Sequence, residues 1–223
     1  MNILTFNGSP RRRGNTSLLL NEFLRGARQA DHHCEEIIAE EINLKYCKGC
    51  LRCNVLKRCS ISGDDWGELS RKILAADSIV FASPVYFHHL TSPLKKILDR
   101  FRSFINVQLT ESGLKHTPYH LWNKQFILLL PLGSSDDRDA QPIIELFTFI
   151  TSILGKGNQL SWILGKRLAV AGQVSMSEEK LAGLYPKLGL PPSLSKDDYK
   201  QNQLLLEQCF EQGRKLKQSN TIT

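Results

Sequence analysis

Four of the chain's six cysteines crowd into one short stretch, CKGCLRCNVLKRC, at Cys47, Cys50, Cys53 and Cys59. The spacing C-x2-C-x2-C-x5-C puts four thiolates on one compact loop. Soft thiolates select iron–sulfur clusters or zinc. Structural zinc draws its ligand pairs from two separated knuckles, which a single loop does not offer. Three occupants stay open on spacing alone: a cluster, zinc, or no metal, with reduced thiols or a redox pair. Lys45, Lys48, Arg52, Lys57 and Arg58 surround the stretch and would offset the charge of an anionic cluster.

A second stretch, NGSPRRRGNTS from Asn7 to Ser17, has the composition of an anion-binding loop. It is not a triphosphate loop, because G-x4-G-K-[ST] needs a lysine where this chain has Asn15 and Thr16. It is not G-x-G-x-x-G either, so the dinucleotide fingerprint is absent. It offers hydroxyl and amide side chains, backbone N–H groups and a helix amino terminus, a set suited to one terminal monophosphate. Arg12 and Arg13 read as solvated side chains rather than as the grip.

These loops need elements to position them, and the hydrophobic period alternates between strand and helix. Ile3–Phe6 reads as a strand, and Leu19, Leu20, Phe23, Leu24 and Ala27 as a helix face capped by Asn15 or Thr16. Ile37, Ile38 and Ile42 suggest a second strand, and Asp64 or Asp65 would cap a helix carrying Trp66, Leu69, Ile73 and Leu74. Ser78–Ala82 reads as a third strand. Thr91, Ser92 and Pro93 open a helix whose stripe is Leu94, Ile97, Leu98, Phe101 and Ile105. QFILLLPLG is a continuous apolar strand, Ile143 to Leu154 a helix, RLAVAGQV a fifth strand, and Leu204 to Leu216 lies in a last helix capped near Ser195. Strands separated by helical crossovers pair in parallel with right-handed connections. This predicts an α/β fold, a doubly wound three-layer sandwich whose ligands bind beyond the carboxyl ends of the strands. One domain over 1–223 is expected, with long connections at 106–123 and 175–195 covering a site or a partner subunit.

Composition narrows the function. Lys plus Arg number 29 against 22 Asp plus Glu, a net charge of +7 that suits anionic ligands. The cations are scattered and interrupted by Glu35, Glu36, Asp136, Asp137 and Asp139, so no nucleic-acid partner is expected. The longest apolar run, Phe126–Leu132, is too short to span a bilayer, and Met1 leads directly into a strand. A cytoplasmic protein without a membrane partner is expected, its thiols kept reduced. Cys34 and Cys209 read as core thiols.

NGSPRRRGNTSLLL resembles the phosphate loop of flavodoxin-like NAD(P)H-dependent FMN reductases, and FASPVYFHHLTSPLKKILDR resembles that family's second segment. CKGCLRCNVLKRCSISGDDW is similar to its cysteine-bearing branch, the iron–sulfur flavoproteins. The resemblance covers roughly Asn2 to Arg102 directly. It implies a flavodoxin-like five-stranded parallel sheet of order 2-1-3-4-5 and an FMN cofactor. Ser9, Arg11, Asn15, Thr16 and Ser17 would lie at the phosphate, and Pro84, Val85, Tyr86 and Phe87 against the isoalloxazine. Gly133 and Ser134 would offer amides beside the ring, although PLGSSDDRDAQP departs from the glycine-rich stretch of many relatives. The acids at 136, 137 and 139 would repel a nicotinamide cofactor's phosphates. His88 and His89 stand where relatives often have small residues.

For the cysteines, the resemblance favours a [4Fe-4S] cluster on Cys47, Cys50, Cys53 and Cys59, although a ferredoxin run would end in x3 with a proline. The implied activity is an oxidoreductase that moves electrons from NAD(P)H or a ferredoxin-type donor to a small acceptor. Its chemistry would be centred on the flavin, with no side chain acting as acid or base, in a homo-oligomer, dimer or higher. Two other classes compete: a flavodoxin-like electron carrier without its own substrate, and a cysteine-based redox sensor. The second leaves the phosphate loop unexplained.

Overall fold

The computed structural model describes residues 1–217. Five strands make one parallel sheet: β1 (Asn2–Asn7), β2 (His33–Ile38), β3 (Ser78–Ala82), β6 (Gln125–Pro131) and β7 (Gln159–Gly165). Between β3 and β6 in sequence, β4 (Ile105–Thr110) and β5 (Gly113–Pro118) form a separate antiparallel hairpin. The sheet order is β2-β1-β3-β6-β7. The expected order 2-1-3-4-5 counts only the sheet strands; the hairpin lies in the long connection expected at 106–123. Every residue of β3 is buried, and so is nearly all of β1 and β6. That is the behaviour of central parallel strands covered on both faces.

Alternate residues of each strand feed different layers. Ile79 and Phe81 join Phe6, Trp66, Phe101, Phe126 and Phe147 on one face. There the sheet packs against α3 (Trp66–Ala75), α4 (Ser92–Arg100) and α5 (Gln141–Leu154). Val80 and Ala82 join Leu20, Phe23, Ile127 and Cys209 on the other face, under α1 (Asn15–Gln29) and α7 (Ser195–Arg214). The short helices α2 (Cys53–Leu56) and α6 (Glu178–Leu184) lie in connections. Cys209 is fully buried, and burial pushes its thiol up to about 12. Cys34 is half-buried, and its thiol too is raised by burial.

Helices α1 and α7 touch backbone to backbone. A Cβ added at Gly26 would collide with the Phe210 carbonyl, and one at Gly213 with the Phe23 carbonyl. Backbone cannot swing aside as a side chain can. Gly26→Ala is therefore expected to cost about 1–3 kcal/mol through overpacking, read as a lowered midpoint in urea.

Several boundaries differ from the sequence reading. The fifth strand is Gln159–Gly165 rather than RLAVAGQV. In Arg167–Val174 the apolar Leu168 and Val170 imitate a strand, but Gly172 adopts φ 73° and a 3-10 turn begins at Gln173. The Leu168 and Val170 carbonyls accept from the Asn15 side chain instead of from a neighbouring strand. The second strand ends at Ile38, with Ile42 beyond it and packed on the core. The α1 N-cap is Gly14, and neither Asn15 nor Thr16 caps the helix. Asp65 stands at the α3 N-cap without a side-chain bond there, whereas Asp64 accepts from the Trp66 amide at 3.3 Å. The long segment 175–195 folds into α6 and short 3-10 turns.

Candidate functional site

Beyond the carboxyl ends of β1, β3 and β6, the structure leaves a cleft of about 250 Å³. Ser9, Arg11, Asn15 and Thr16 line it on one side and Pro84, Val85 and Tyr86 on another. The two loops are stitched together: the Gly8 amide donates to the Ala82 carbonyl at 2.8 Å, and the Thr91 hydroxyl to the Gly8 carbonyl at 2.9 Å. A side chain at Gly8 would press on Leu94 and Thr91, so glycine is required for this approach.

Inside the first loop the polar groups divide their work. Asn7 fixes its start, taking the Ser9 amide at 3.0 Å and donating to Ser17 Oγ at 3.2 Å. Ser9 Oγ accepts from the Arg11 amide, and Ser17 Oγ donates to the Arg11 carbonyl, both at 3.1 Å. The hydroxyls of Ser9 and Ser17 thus shape the loop. Asn15 is committed elsewhere: its carboxamide donates to the Leu168 and Val170 carbonyls at 3.0 and 2.8 Å and accepts from the Val174 amide at 3.0 Å. It holds the far wall of the cleft, which corrects the expectation that its side chain is free for a phosphate. Arg12 turns outward to Glu41 at 2.7 Å, mostly exposed.

What remains for an anion is the helix terminus. Among the described residues, the amides of Asn15, Thr16 and Ser17 have no acceptor, as befits the first turn of a helix. Helices α3, α6 and α7 carry acids in their first turn, whereas α1, like α4 and α5, carries none. Open donors at a terminus that faces a cleft and has no carboxylate of its own suit an anion. Thr16, almost fully buried, lies there.

The third wall is Gly133 with Leu168, Ala169 and Ala171, the last three missed because their segment read as a strand. The Leu168 amide donates to the Leu132 carbonyl and the Arg167 amide to the Ser134 carbonyl, at 2.7 and 2.8 Å, which ties the two segments together. Ser134 itself is not in the lining. Its hydroxyl bonds Asp139. Phe87 also lies outside the lining: it stands wholly exposed at the tip of a two-residue turn closed by Tyr86 and His89. Phe87 and His88 adopt φ 48° and 60°, conformations uncommon for such residues and costly where imposed. The acids of the neighbouring loop are each paired, Asp136 with Arg138, Asp137 with Lys166, and Asp139 with His88 at 3.5 Å. The Arg138 guanidinium holds the Asp136 carboxyl at about 2. The repulsion expected from Asp136 and Asp137 is therefore partly offset locally.

All four loop cysteines line a second cavity, of about 170 Å³. No three candidate ligands among the described residues converge on a single ion. Asn54 anchors the loop to the hairpin through the Val107 carbonyl at 2.8 Å and amide at 3.1 Å. The Tyr119 hydroxyl donates to the Cys53 carbonyl at 2.8 Å. Arg102, invisible to sequence spacing, brings its guanidinium within 3.5 Å of Cys53 Sγ. Burial raises the Cys53 thiol, while hydrogen bonds from the Arg52 amide and the Ser60 hydroxyl lower that of exposed Cys50.

A five-stranded parallel sheet with an anion-ready helix terminus at its carboxyl edge defines the flavodoxin-like class. Many solved structures share that fold, among them two reductases. An azoreductase from Bacillus anthracis has a TM-score of 0.62 at 15% identity, covering 97% of this chain and 100% of its own. An NAD(P)H:quinone oxidoreductase from Methanothermobacter marburgensis also scores 0.62, at 14% identity, covering 97% and 99%. Within the class, residues 1–155 match the NADPH-dependent FMN reductases, and the chain belongs to that family. An iron-sulfur flavoprotein of Methanocaldococcus jannaschii is 37% identical over 102 residues, 46% of this chain and 52% of the relative. One of Archaeoglobus fulgidus is 36% identical over 102 residues, 46% and 49%. The chain spans about half the length of the curated relatives it matches.

Proposed function

We propose that this chain is an FMN-dependent oxidoreductase that passes electrons from a reduced nicotinamide or ferredoxin-type donor to a small acceptor. The observation that carries this reading is the acid-free terminus of α1, opening into the cleft with three unpartnered amides. The amides of Asn15, Thr16 and Ser17 hold the flavin's phosphate, with Arg11 beside them at the surface. Pro84, Val85 and Tyr86 form one wall for the ring, and Gly133, Ala169 and Ala171 the facing one. FMN, when bound, supplies hydride and single-electron transfer. The protein's part is to hold the cofactor and exclude water from its inner face. Phe87 and Ser134, outside the cleft lining, shape neighbouring turns.

The same reading gives Cys47, Cys50, Cys53 and Cys59 to a [4Fe-4S] cluster, supported by their common cavity and by Arg102 beside Cys53. A cluster there supplies one-electron transfer. A homodimer within the cytosol, each chain a single domain, completes the proposal. Its support is the apolar surface left open on the hairpin and its neighbours, Leu109, Leu114, Leu121 and Phe149. No helix among the described residues is long and apolar enough to cross a membrane.

Anaerobic reconstitution tests the reading. Protein loaded with FMN, iron and sulfide is expected to bind one flavin and four irons per chain and to oxidise NADPH or NADH with a quinone. Cys53→Ser is expected to lose iron while keeping flavin. Protein that takes up no FMN sinks the proposal, and reduction by ferredoxin alone assigns the carrier role instead.

A further inference from the structure

Past the carboxyl end of β7, beside the first half of α7, the structure holds a cavity of about 380 Å³. Nothing in the proposed activity uses it, and its volume lies within the range of small-molecule sites. Its charged groups are already neutralised. Arg167 Nε donates to the Asp198 carboxylate at 2.7 Å, and the Tyr185 hydroxyl donates to the same carboxylate at 2.5 Å. Lys166 pairs with Asp137 at 2.9 Å. The lining therefore keeps no free charge that would select an ion.

Asn202 differs from these groups. It lines the cavity at only 4% exposure, and its carboxamide makes no hydrogen bond among the described residues. The described side-chain atoms that lack both a partner and contact with solvent are Arg100 Nε, Trp122 Nε1 and Gln125 Oε1. The oxygen and nitrogen of Asn202 are not among them, so the little exposure it keeps includes both, and they open on the cavity. A buried carboxamide left unpaired is unfavourable, and a ligand that pairs with it removes that cost.

The carboxamide presents an acceptor beside a donor. That pattern meets a ring edge with an adjacent donor and acceptor, as asparagine meets the 6-amino group and N7 of adenine. Half-buried Leu164 and the 56% exposed Leu204 add apolar surface that a ring face can cover. Ser135, Gln201 and Gln208, exposed and uncharged at the mouth, suit sugar hydroxyls.

We propose that this cavity is a site for a neutral purine nucleoside of the adenosine type. The base edge pairs with Asn202, the ring covers Leu204, and the ribose lies toward Gln201. The same group comes as the free nucleoside or as the adenosine end of a nicotinamide donor. The cavity adjoins the flavin cleft, since Arg167 lines the one and Leu168 the other. Only the second source rests on the proposed oxidoreductase activity.

Adenosine and purine riboside, which lacks the 6-amino group, are the probes, titrated calorimetrically into FMN-saturated protein. Adenosine is expected to bind one per chain and roughly tenfold or more tighter than purine riboside, with an affinity that salt leaves unchanged. Asn202→Leu is expected to abolish the preference, bringing the two nucleosides within about twofold of each other. Leu204→Ala, at an exposed position, is expected to weaken both about threefold with the preference intact, and it decides the matter where Asn202→Leu does not fold. Absence of adenosine binding, equal affinity for the two nucleosides, or binding that weakens as salt rises overturns the proposal. So does a preference that survives in folded Asn202→Leu, or unchanged binding in Leu204→Ala. NADH that displaces adenosine assigns the site to the adenosine end of the donor, and NADH that does not assigns it to the free nucleoside. Adenosine is expected to bind flavin-free protein equally well, so failure of the proposed activity shows separately from failure of this site.

Discussion

Arg100→Met is expected to destabilise the fold by about 3–5 kcal/mol, the loss usual when one partner of a buried ion pair is removed. The side chains of Arg100 and Asp64 are 0% and 1% exposed, and they meet at 2.6 Å. The guanidinium also donates to the Lys45 carbonyl at 2.7 Å and stacks 5.1 Å over the Trp66 ring, while its Nε finds no partner. Methionine fills much of the volume but leaves the Asp64 charge buried and unpaired. For a chain of this size the loss corresponds to a fall in Tm of roughly 6–20 °C. Arg100→Met/Asp64→Asn is expected to recover part of it, because the buried charge is gone; the recovery is incomplete, since the single amide oxygen can accept from only one of the Lys45 and Trp66 amides that Asp64 takes with separate oxygens.

The pH dependence separates this account from simple loss of packing. Burial pushes the Asp64 carboxyl up, but Arg100 and the Lys45 amide outweigh it and hold the carboxyl below its usual value. In the parent chain the pair's contribution is therefore complete above the ordinary carboxylate pKa and is lost as pH falls through the lowered one. In Arg100→Met burial is opposed only by the Lys45 and Trp66 amides, so the carboxyl rises relative to the parent, and the penalty is largest at neutral pH and eases on acidification. Thermal melts between pH 4 and pH 8 should show the two curves converging toward acid. A constant gap across that range contradicts the mechanism. Arg100 also lines the cysteine cavity, so iron retention is expected to fall with stability.

How much of this could be read from the chain depended on whether a residue's role was local. The buried runs Ser78–Ala82 and Gln125–Pro131 are continuous and apolar, and periodicity alone finds them. The stripe of α4 is as plain. The edge strand Gln159–Gly165 escaped because it is buried at few positions, with Trp162 45% exposed, so it lacks the apolar density of its neighbours. The loop after it, with Leu168 and Val170, looked more like a strand than the strand did. Within the site, the phosphate loop was legible as a type, but the duties of its side chains were not. Asn15 reaches residues more than 150 positions away, and no spacing rule carries that distance. Arg100 and Arg102 meet the cysteine loop from the far end of α4 for the same reason. The four cysteines were legible because their relationship is contained in one loop.

Thr16→Asp is expected to cost at least a hundredfold in FMN affinity while leaving the apoprotein as stable as the parent or slightly more so. Thr16 occupies the first turn of α1, where the open amides converge and no acid is present. An aspartate there accepts from the open amides and interacts favourably with the helix dipole, which offsets the cost of placing a charge at a position only 2% exposed. The same carboxylate competes for the amides that hold the phosphate and repels its charge. Losing charge-assisted hydrogen bonds worth about 1.5–3 kcal/mol each accounts for the hundredfold, which corresponds to about 2.7 kcal/mol. Thr16→Ser, which adds no charge, is expected to stay within about threefold of the parent. Equilibrium titration with FMN, paired with melts of the apoprotein, reads both effects. The opposite signs are the discriminating feature. A damaged fold would lower stability and affinity together, whereas a helix terminus left open for a ligand becomes more stable when it is closed and loses the ligand as it does so.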